Sequence, residues 1–331
     1  MKPNIDSTFS IQSEAAFRQS ALAVFNYQAA ENPVYKQYLQ GLKTDINAVQ
    51  SLEQIPFLPI GFFKSHTIIS GEHKEPAQQV FSSSGTTGMI QSRHYVMNVS
   101  IYEKSYLKAF EHFYGSIENY CVLALLPSYL ERDGSSLVYM ADDLIKKSKY
   151  PDSGFYLHNY EELLLKLQQL KAKNQKTILL GVTYALLDFV EQFPDFTGGE
   201  NLILMETGGM KGKRKEMVRE ELHTVLCAGF GVKSIHSEYG MTELLSQGYS
   251  KGDGIFECPP WMKIMIRDTN DPFTFFPHNK TGGINVIDLA NIDSCAFIAT
   301  QDLGKTYADH SFEVLGRFDN SDIRGCNLLV Q

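Results

Sequence analysis

The chain has 331 residues, of which 43% are apolar, 12% aromatic and 21% charged, a length that predicts about two domains or one large lobed domain with a sizeable core. This composition excludes a disordered, collagen-like or coiled-coil chain. With 30 Lys plus Arg against 38 Asp plus Glu the net charge is −8, which argues against a broad nucleic-acid or anionic-membrane footprint and leaves room for a small basic pocket.

Ser13–Ala30 reads as a helix, with Phe17, Leu22 and Phe25 among its apolar positions. Pro33 ends it, and a short helix to Leu39 stops at Gly41. Ile55–Phe63 carries two prolines and is expected to be extended and buried. From residue 77 strands and helices alternate. The expected strands are Gln78–Phe81, Cys121–Leu126, Thr177–Leu180, Leu202–Met205 and Lys233–His236. The expected helices run from Asn98 as cap through Phe113, then Ser135–Lys147, Glu161–Lys173 with Asn159 as cap, Tyr184–Gln192 and Lys213–Ala228. Such alternation implies βαβ units and a doubly wound α/β core. After Pro259-Pro260 the pattern changes to short alternating strands at Lys263–Arg267, Gly283–Leu289, Cys295–Thr300 and Phe312–Leu315, an antiparallel lobe. The expected organisation is a helical segment over 1–76, an α/β core over 77–260 and a β-rich lobe over 261–331.

Met1–Phe17 has no hydrophobic stretch of the signal-peptide kind. The apolar run Cys121–Leu126 falls far short of the ~20 residues that span a bilayer. No integral membrane segment is therefore expected. The five cysteines, Cys121, Cys227, Cys258, Cys295 and Cys326, contain no CxxC pair, so a structural zinc site is not expected, and the odd, scattered set reads as reduced thiols in a cytoplasm.

Four segments carry chemistry. In Phe81-Ser-Ser-Ser-Gly-Thr-Thr-Gly88 a strand runs into a loop of hydroxyls and glycines, whose N–H and O–H groups can wrap a polyphosphate. Its glycine spacing is not that of the NTPase P-loop. An ordinary surface loop of small polar residues is the competing explanation. Ser237-Glu-Tyr-Gly-Met-Thr-Glu243 follows a predicted strand, and its carboxylate beside a hydroxyl suits Mg²⁺ and a phosphate oxygen, while its tyrosine can stack on a purine. A helix start capped by Thr242 accounts for it equally well. Gln301-Asp-Leu-Gly304 and Gly316-Arg-Phe-Asp319 read as turns, in which Asp302 can accept ribose hydroxyls and Arg317 can reach a phosphate or the ribose; an ion pair between turns is the plainer alternative. His94, His236 and His66 are candidate bases, His236 first for its place before Glu238-Tyr239, against the commoner role of a hydrogen-bonded histidine. The basic run Lys211-Gly-Lys-Arg-Lys215 suits steering of a nucleotide or a solvated helix start. No G-x-S-x-G elbow supports a hydrolase.

SSSGTTG, EYGMTE, QDLG and GRFDNSD, in that order over residues 82 to 322, resemble the adenylate-forming superfamily of acyl- and aryl-CoA ligases, luciferases and nonribosomal adenylation domains. Within it the chain most resembles the LuxE-like acyl-protein synthetases, through Leu126-Pro-Ser-Tyr-Leu-Glu-Arg-Asp-Gly-Ser-Ser-Leu-Val-Tyr139, Glu206-Thr-Gly-Gly-Met-Lys211 and Arg324-Gly-Cys326. The resemblance implies the large N-terminal domain of the adenylate-forming fold, a doubly wound α/β core plus an antiparallel β lobe, as one catalytic domain over 1–331. The small C-terminal lysine-bearing domain of that fold is expected to be absent, since Gln331 follows shortly after Asp319.

The resemblance further implies that Ser83, Ser84, Gly85, Thr86, Thr87 and Gly88 hold the ATP phosphates and that Thr207, Gly208 and Gly209 line the adenine. Tyr239, followed by Gly240 and Met241, would stack near it. Thr242 would touch the α-phosphate, Glu243 would bind Mg²⁺, Asp302 would hold the ribose and Arg317 would sit close by. Where the superfamily often has a Pro-Lys pair, this chain has Met89-Ile-Gln-Ser-Arg93. Arg93 and Lys211 are candidates to supply the charge of the missing lysine. Cys326 would be the acceptor thiol, with Arg324 favouring its thiolate, and the other four cysteines read as buried small hydrophobes. The implied activity uses ATP and Mg²⁺ to turn a fatty acid into an acyl-adenylate, forms a thioester on Cys326 and passes the acyl group to an acyl-CoA-reductase-like partner. The alternatives are an acyl- or aryl-CoA ligase that releases acyl-CoA, and a non-catalytic nucleotide- or acyl-binding subunit. No nucleic-acid partner is expected.

Overall fold

Asn32 ends one helix and starts the next. In the computed structural model, which describes residues 1–83, 90–127, 134–208, 214 and 217–317, the chain opens with α1 (Ile5–Thr8), α2 (Glu14–Glu31) and α3 (Pro33–Gly41). Ser13 caps α2 by accepting from the Ala16 N–H, and Asn32 Oδ1 caps α3 by accepting from the Tyr35 N–H. Pro33 takes the first position of α3, where no N–H is needed. The extended, buried run expected over Ile55–Phe63 is only partly so. Leu58–Pro59 forms β1, Pro59 and Gly61 are exposed, and Phe62–Ser65 turns into α4. A proline brings no N–H to a ladder, which keeps such a strand short.

Residues 75–259 form one of two compact units. It begins with an antiparallel pair, β2 (Gln79–Ser82) and β3 (Arg93–Val96), in which Ser82 faces Arg93. Then follow α5 (Val99–Tyr114), β4 (Cys121–Leu125), α6 (Ser136–Lys147), β5 (Gly154–Tyr156), α7 (Tyr160–Ala172), β6 (Thr177–Gly181), α8 (Thr183–Gln192), β7 (Leu202–Glu206), α9 (Arg219–Phe230), β8 (His236–Tyr239), β9 (Gly248–Ser250) and β10 (Ile255–Glu257). The sheet runs β10-β9-β8-β7-β6-β4-β5. It is parallel from β5 to β8, and β9 and β10 are added antiparallel. β4 and β6 are buried at every position, as a strand covered by helices on both faces must be.

Three expectations need correction here. The strand expected at Lys233–His236 begins at His236 and includes Glu238 and Tyr239. No helix follows Thr242; the chain turns into β9 instead. Asn159 does not cap α7 through its side chain: its Oδ1 accepts from the Leu157 N–H and its Nδ2 donates to Glu162.

Residues 1–74 and 260–331 make up the other unit. Its strands are β11 (Met262–Arg267), β12 (Gly282–Asp288), β13 (Phe297–Thr306) and β14 (Phe312–Arg317), antiparallel in that order, and β1 runs parallel to the start of β13. β13 continues well past the expected end at Thr300, because burial keeps alternating through Gln301–Thr306. Gln301–Gly304 and Gly316–Arg317 are therefore strand and not turn. The N-terminal helices share the core of these strands. Gln28 Nε2 donates to the carbonyls of Asn291 and Ile292, and its Oε1 accepts from the Ala296 N–H. Phe25, Tyr35 and Phe57 pack on Phe297. No described helix is long and apolar enough to cross a membrane.

Candidate functional site

Leu125, Gly181, Glu206 and Ser237 stand in register across β4, β6, β7 and β8, so these strands deliver their following loops to one edge. Ligands of open α/β sheets bind outside such carboxyl ends. Ser83 closes the base of the β2–β3 hairpin: its N–H donates to the Ser92 carbonyl at 3.1 Å and its Oγ accepts from the Ser92 N–H at 2.9 Å. The rest of the proposed phosphate loop, Ser84, Gly85, Thr86, Thr87 and Gly88, lies outside the described residues. Two contacts bring distant segments to that hairpin. The Gly134 carbonyl accepts from the Ser82 N–H at 2.8 Å, and Gly134 sits at φ +90° where an added Cβ would come within 2.8 Å of Ser82 Oγ. His94, buried on β3, lies with Nδ1 2.9 Å from the Thr242 carbonyl. A carbonyl only accepts, so Nδ1 carries the proton and His94 ties the hairpin to the Gly240–Glu243 turn. That contact makes His94 a tie between the two segments.

In that turn Tyr239 is buried against Phe256, Gly240 is exposed, Met241 and Thr242 are half-buried, and the Glu243 carboxylate is 5% exposed. One strand over, Thr207 and Gly208 follow directly on β7. Gly208 adopts φ +73° and donates its N–H to Glu206 Oε2 at 2.5 Å. Gly209 and Lys211 lie outside the described residues. Glu206 is buried and also receives Arg219 Nη1 at 3.1 Å and the Thr183 hydroxyl at 3.4 Å. Burial pushes its carboxyl up, yet His223, the Arg219 charge, the Ser237 hydroxyl and the Gly208 N–H outweigh burial and hold it below the usual carboxylate range. Glu238 goes the other way: burial, then the neighbouring Glu206 charge, push it up to about 8. Neither Glu206 nor Glu238 was given a role from the sequence, although both sit inside the segments that carry the resemblance. Arg219 lies outside every motif and left no signal.

In the other unit Asp302 and Arg317 face each other across β13 and β14, and Arg317 Nε donates to Asp302 Oδ1 at 3.0 Å. The Asp302 side chain is 8% exposed and that of Arg317 is 73% exposed. The Asp302 N–H donates to Thr300 Oγ1, whose hydroxyl donates to the Ile284 carbonyl. Buried Arg267 donates to the carbonyls of Ile284 and Thr300 and to Asn285 Oδ1, and so braces the strand bulge between Gly283 and Asn285 beside Asp302.

Arg93 is exposed on β3 and makes no ion pair among the described residues. His236 Nδ1 meets the Tyr114 hydroxyl at 3.1 Å, and burial, then Lys251, lower its pKa to about 4, so it is neutral near pH 7 and a weak base. His66 is exposed and paired with Ser65. Burial raises the thiols of Cys121 and Cys227, and that of Cys295 to about 12. Cys121 and Cys295 are buried, whereas Cys227 and Cys258 are half-exposed, unlike the buried state expected for all four. Cys326 lies outside the described residues. Among the described residues no group of three or more His, Cys, Asp or Glu side chains is placed to hold a metal.

No family model and no curated protein matches the chain. Among solved structures, an open conformation of 2-hydroxyisobutyryl-CoA ligase in complex with 2-HIB-AMP and CoA is similar with a TM-score of 0.70 at 13% identity, over 93% of this chain and 75% of that one. The same ligase in the postadenylation state, in complex with 2-HIB-AMP, gives 0.69 at 13% identity, over 96% and 72%. The fold is that of the large N-terminal domain of adenylate-forming enzymes. ATP-bound MatB from Rhodopseudomonas palustris is also similar, with a TM-score of 0.54 at 17% identity, and the chain spans 50% of its length. At these identities the likeness is one of fold.

Proposed function

We propose that the protein is an ATP-dependent acid–thiol ligase of the acyl-protein synthetase kind. The observation that carries this is the convergence within residues 75–259. The β2–β3 pair, the Gly134 segment and the Tyr239–Glu243 turn, far apart in sequence, are joined by Ser82 and His94, and Gly134 and the turn come after the carboxyl ends of β4 and β8. The fold adds support, since a structurally similar ligase carries an acyl-adenylate.

The carboxylate oxygen of a fatty acid attacks the α-phosphorus of ATP, and the bond to pyrophosphate breaks. Backbone N–H and hydroxyl groups of residues 83–88 hold the phosphates, and Thr242 meets the α-phosphate. Mg²⁺ commonly binds through one carboxylate plus substrate phosphates, so the single buried Glu243 fits it, and the ion would offset phosphate charge when bound. Thr207–Gly209 and Tyr239 take the adenine. The Cys326 thiolate then attacks the acyl carbon and AMP leaves. Arg93 and Lys211 are candidates for charge neutralisation during the first step, and an acyl-CoA-reductase-like partner receives the acyl group.

Release of acyl-CoA is the second reading, favoured by the CoA bound in a structurally similar ligase. Cys326→Ser separates the two. It keeps acid-dependent exchange of pyrophosphate into ATP and loses the hydroxylamine-labile acyl label that the wild type acquires from ATP and a radioactive acid. Undiminished label in the variant excludes Cys326 as acceptor, and free acyl-CoA formed at an unchanged rate favours the CoA ligase.

A further inference from the structure

Arg219 is the first residue of α9, where a cation works against the helix dipole, and its contacts point elsewhere. Its Nη1 donates to Glu206 Oε1 at 3.1 Å and to Ser237 Oγ at 3.4 Å. Its guanidinium carbon lies 5.0 Å from the centroid of the Phe256 ring, within the range of a cation–π contact. Phe256 in turn meets Tyr239 edge-on, with centroids 6.1 Å apart. Glu206 holds the Gly208 N–H and so fixes the turn that follows β7. In that turn Thr207 Oγ1 is shielded from solvent and has no hydrogen-bond partner among the described residues. A shielded hydroxyl without a partner calls for an explanation, and a bound ligand is one that fits.

We propose that Arg219 is a positioning residue for the nucleotide base: through Glu206 it sets the Thr207–Gly208 turn, and through Phe256 it sets the Tyr239 ring. This rests on the adenylate-forming reading of the site. Stacking on Tyr239 is common to all purines. Hydrogen bonds from the turn depend on its register, so loosening the turn costs selectivity between purines as well as affinity. In this proposal Arg219 acts through Glu206 and Phe256 and not by its own contact with the base.

The test uses Arg219→Met, which keeps the aliphatic stem, and Arg219→Lys, which keeps the charge but cannot bridge Glu206 and Ser237 while lying over Phe256. Pyrophosphate exchange is measured with ATP and with GTP. Arg219→Met is expected to raise the KM for ATP by about 10-fold, lower the ATP-over-GTP preference and leave the KM for the acid unchanged, with Arg219→Lys between it and the wild type. An unchanged preference in a folded variant overturns the proposal, as does a rise in the acid KM equal to that for ATP. If the wild type exchanges with no acid, the adenylating reading fails by itself. Displacement of a ribose-labelled fluorescent ATP by unlabelled ATP and GTP then decides Arg219: a preference lost in Arg219→Met sustains the proposal, and one equal to wild type, or no binding at all, overturns it.

Discussion

Glu206 and Glu238 lie on neighbouring strands and settle in opposite protonation states. Glu206 collects donors from an arginine, a hydroxyl and a backbone N–H, so the charged form is the favoured one. Glu238 has burial and a negative neighbour acting on it, so the neutral form is favoured until about pH 8. The folded protein therefore holds a proton there that the unfolded chain, with an ordinary carboxyl near pH 4.5, has released. Stability from this group is full below that ordinary value and is lost as pH rises through about 8. Glu238→Gln removes the titration. Thermal melts from pH 5 to 9 are expected to fall with pH in the wild type and to flatten in the variant; parallel curves would contradict the assignment. Arg219 belongs to the same cluster and was invisible in the sequence, because nothing in its neighbours records a partner 13 positions earlier on another element.

His94 shows how elements far apart in sequence form one edge, since its ring joins β3 to a turn 148 positions later. His94→Phe keeps an aromatic ring and removes the donor, leaving the Thr242 carbonyl short of a partner. Urea unfolding is expected to show a loss of about 1–3 kcal/mol, the cost of stranding a buried polar group, together with a raised KM for ATP. An unchanged midpoint and KM would show that the tie is dispensable. Most strands and helices of the α/β core were legible, because short apolar runs such as Cys121–Leu125 and capped amphipathic helices such as Val99–Tyr114 declare themselves locally. Asp302 was misread as a turn residue. Gln301-Asp-Leu-Gly304 has the composition of a turn, but its side chains alternate between covered and half-covered positions, which only cross-strand partners can impose. β9 and β10 were missed for a related reason: at three residues each they are too short to show a period.

At the scale of the molecule, the chain makes two units, and one of them is assembled from both ends. The change of pattern after Pro259-Pro260 is visible in the sequence. The sharing of a core between the N-terminal helices and the last strands is not, because it depends on long-range matches such as Gln28 with the backbone of residues 291–296. The fold corresponds to the large domain of adenylate-forming enzymes, and Thr207–Gly208 and the Gly240–Glu243 turn, which the resemblance assigns to ATP, follow the carboxyl ends of β7 and β8. The proposed function requires activation of an acid as its adenylate. Acid-dependent exchange of labelled pyrophosphate into ATP tests it most directly, with a panel of fatty and aryl acids, on wild type and Glu243→Gln. The expected result is exchange by the wild type with at least one fatty acid and a fall of at least ~10²-fold in a folded Glu243→Gln, the loss typical of removing one strong electrostatic stabiliser. Absence of exchange with every acid, or equal exchange in the two proteins, would contradict it.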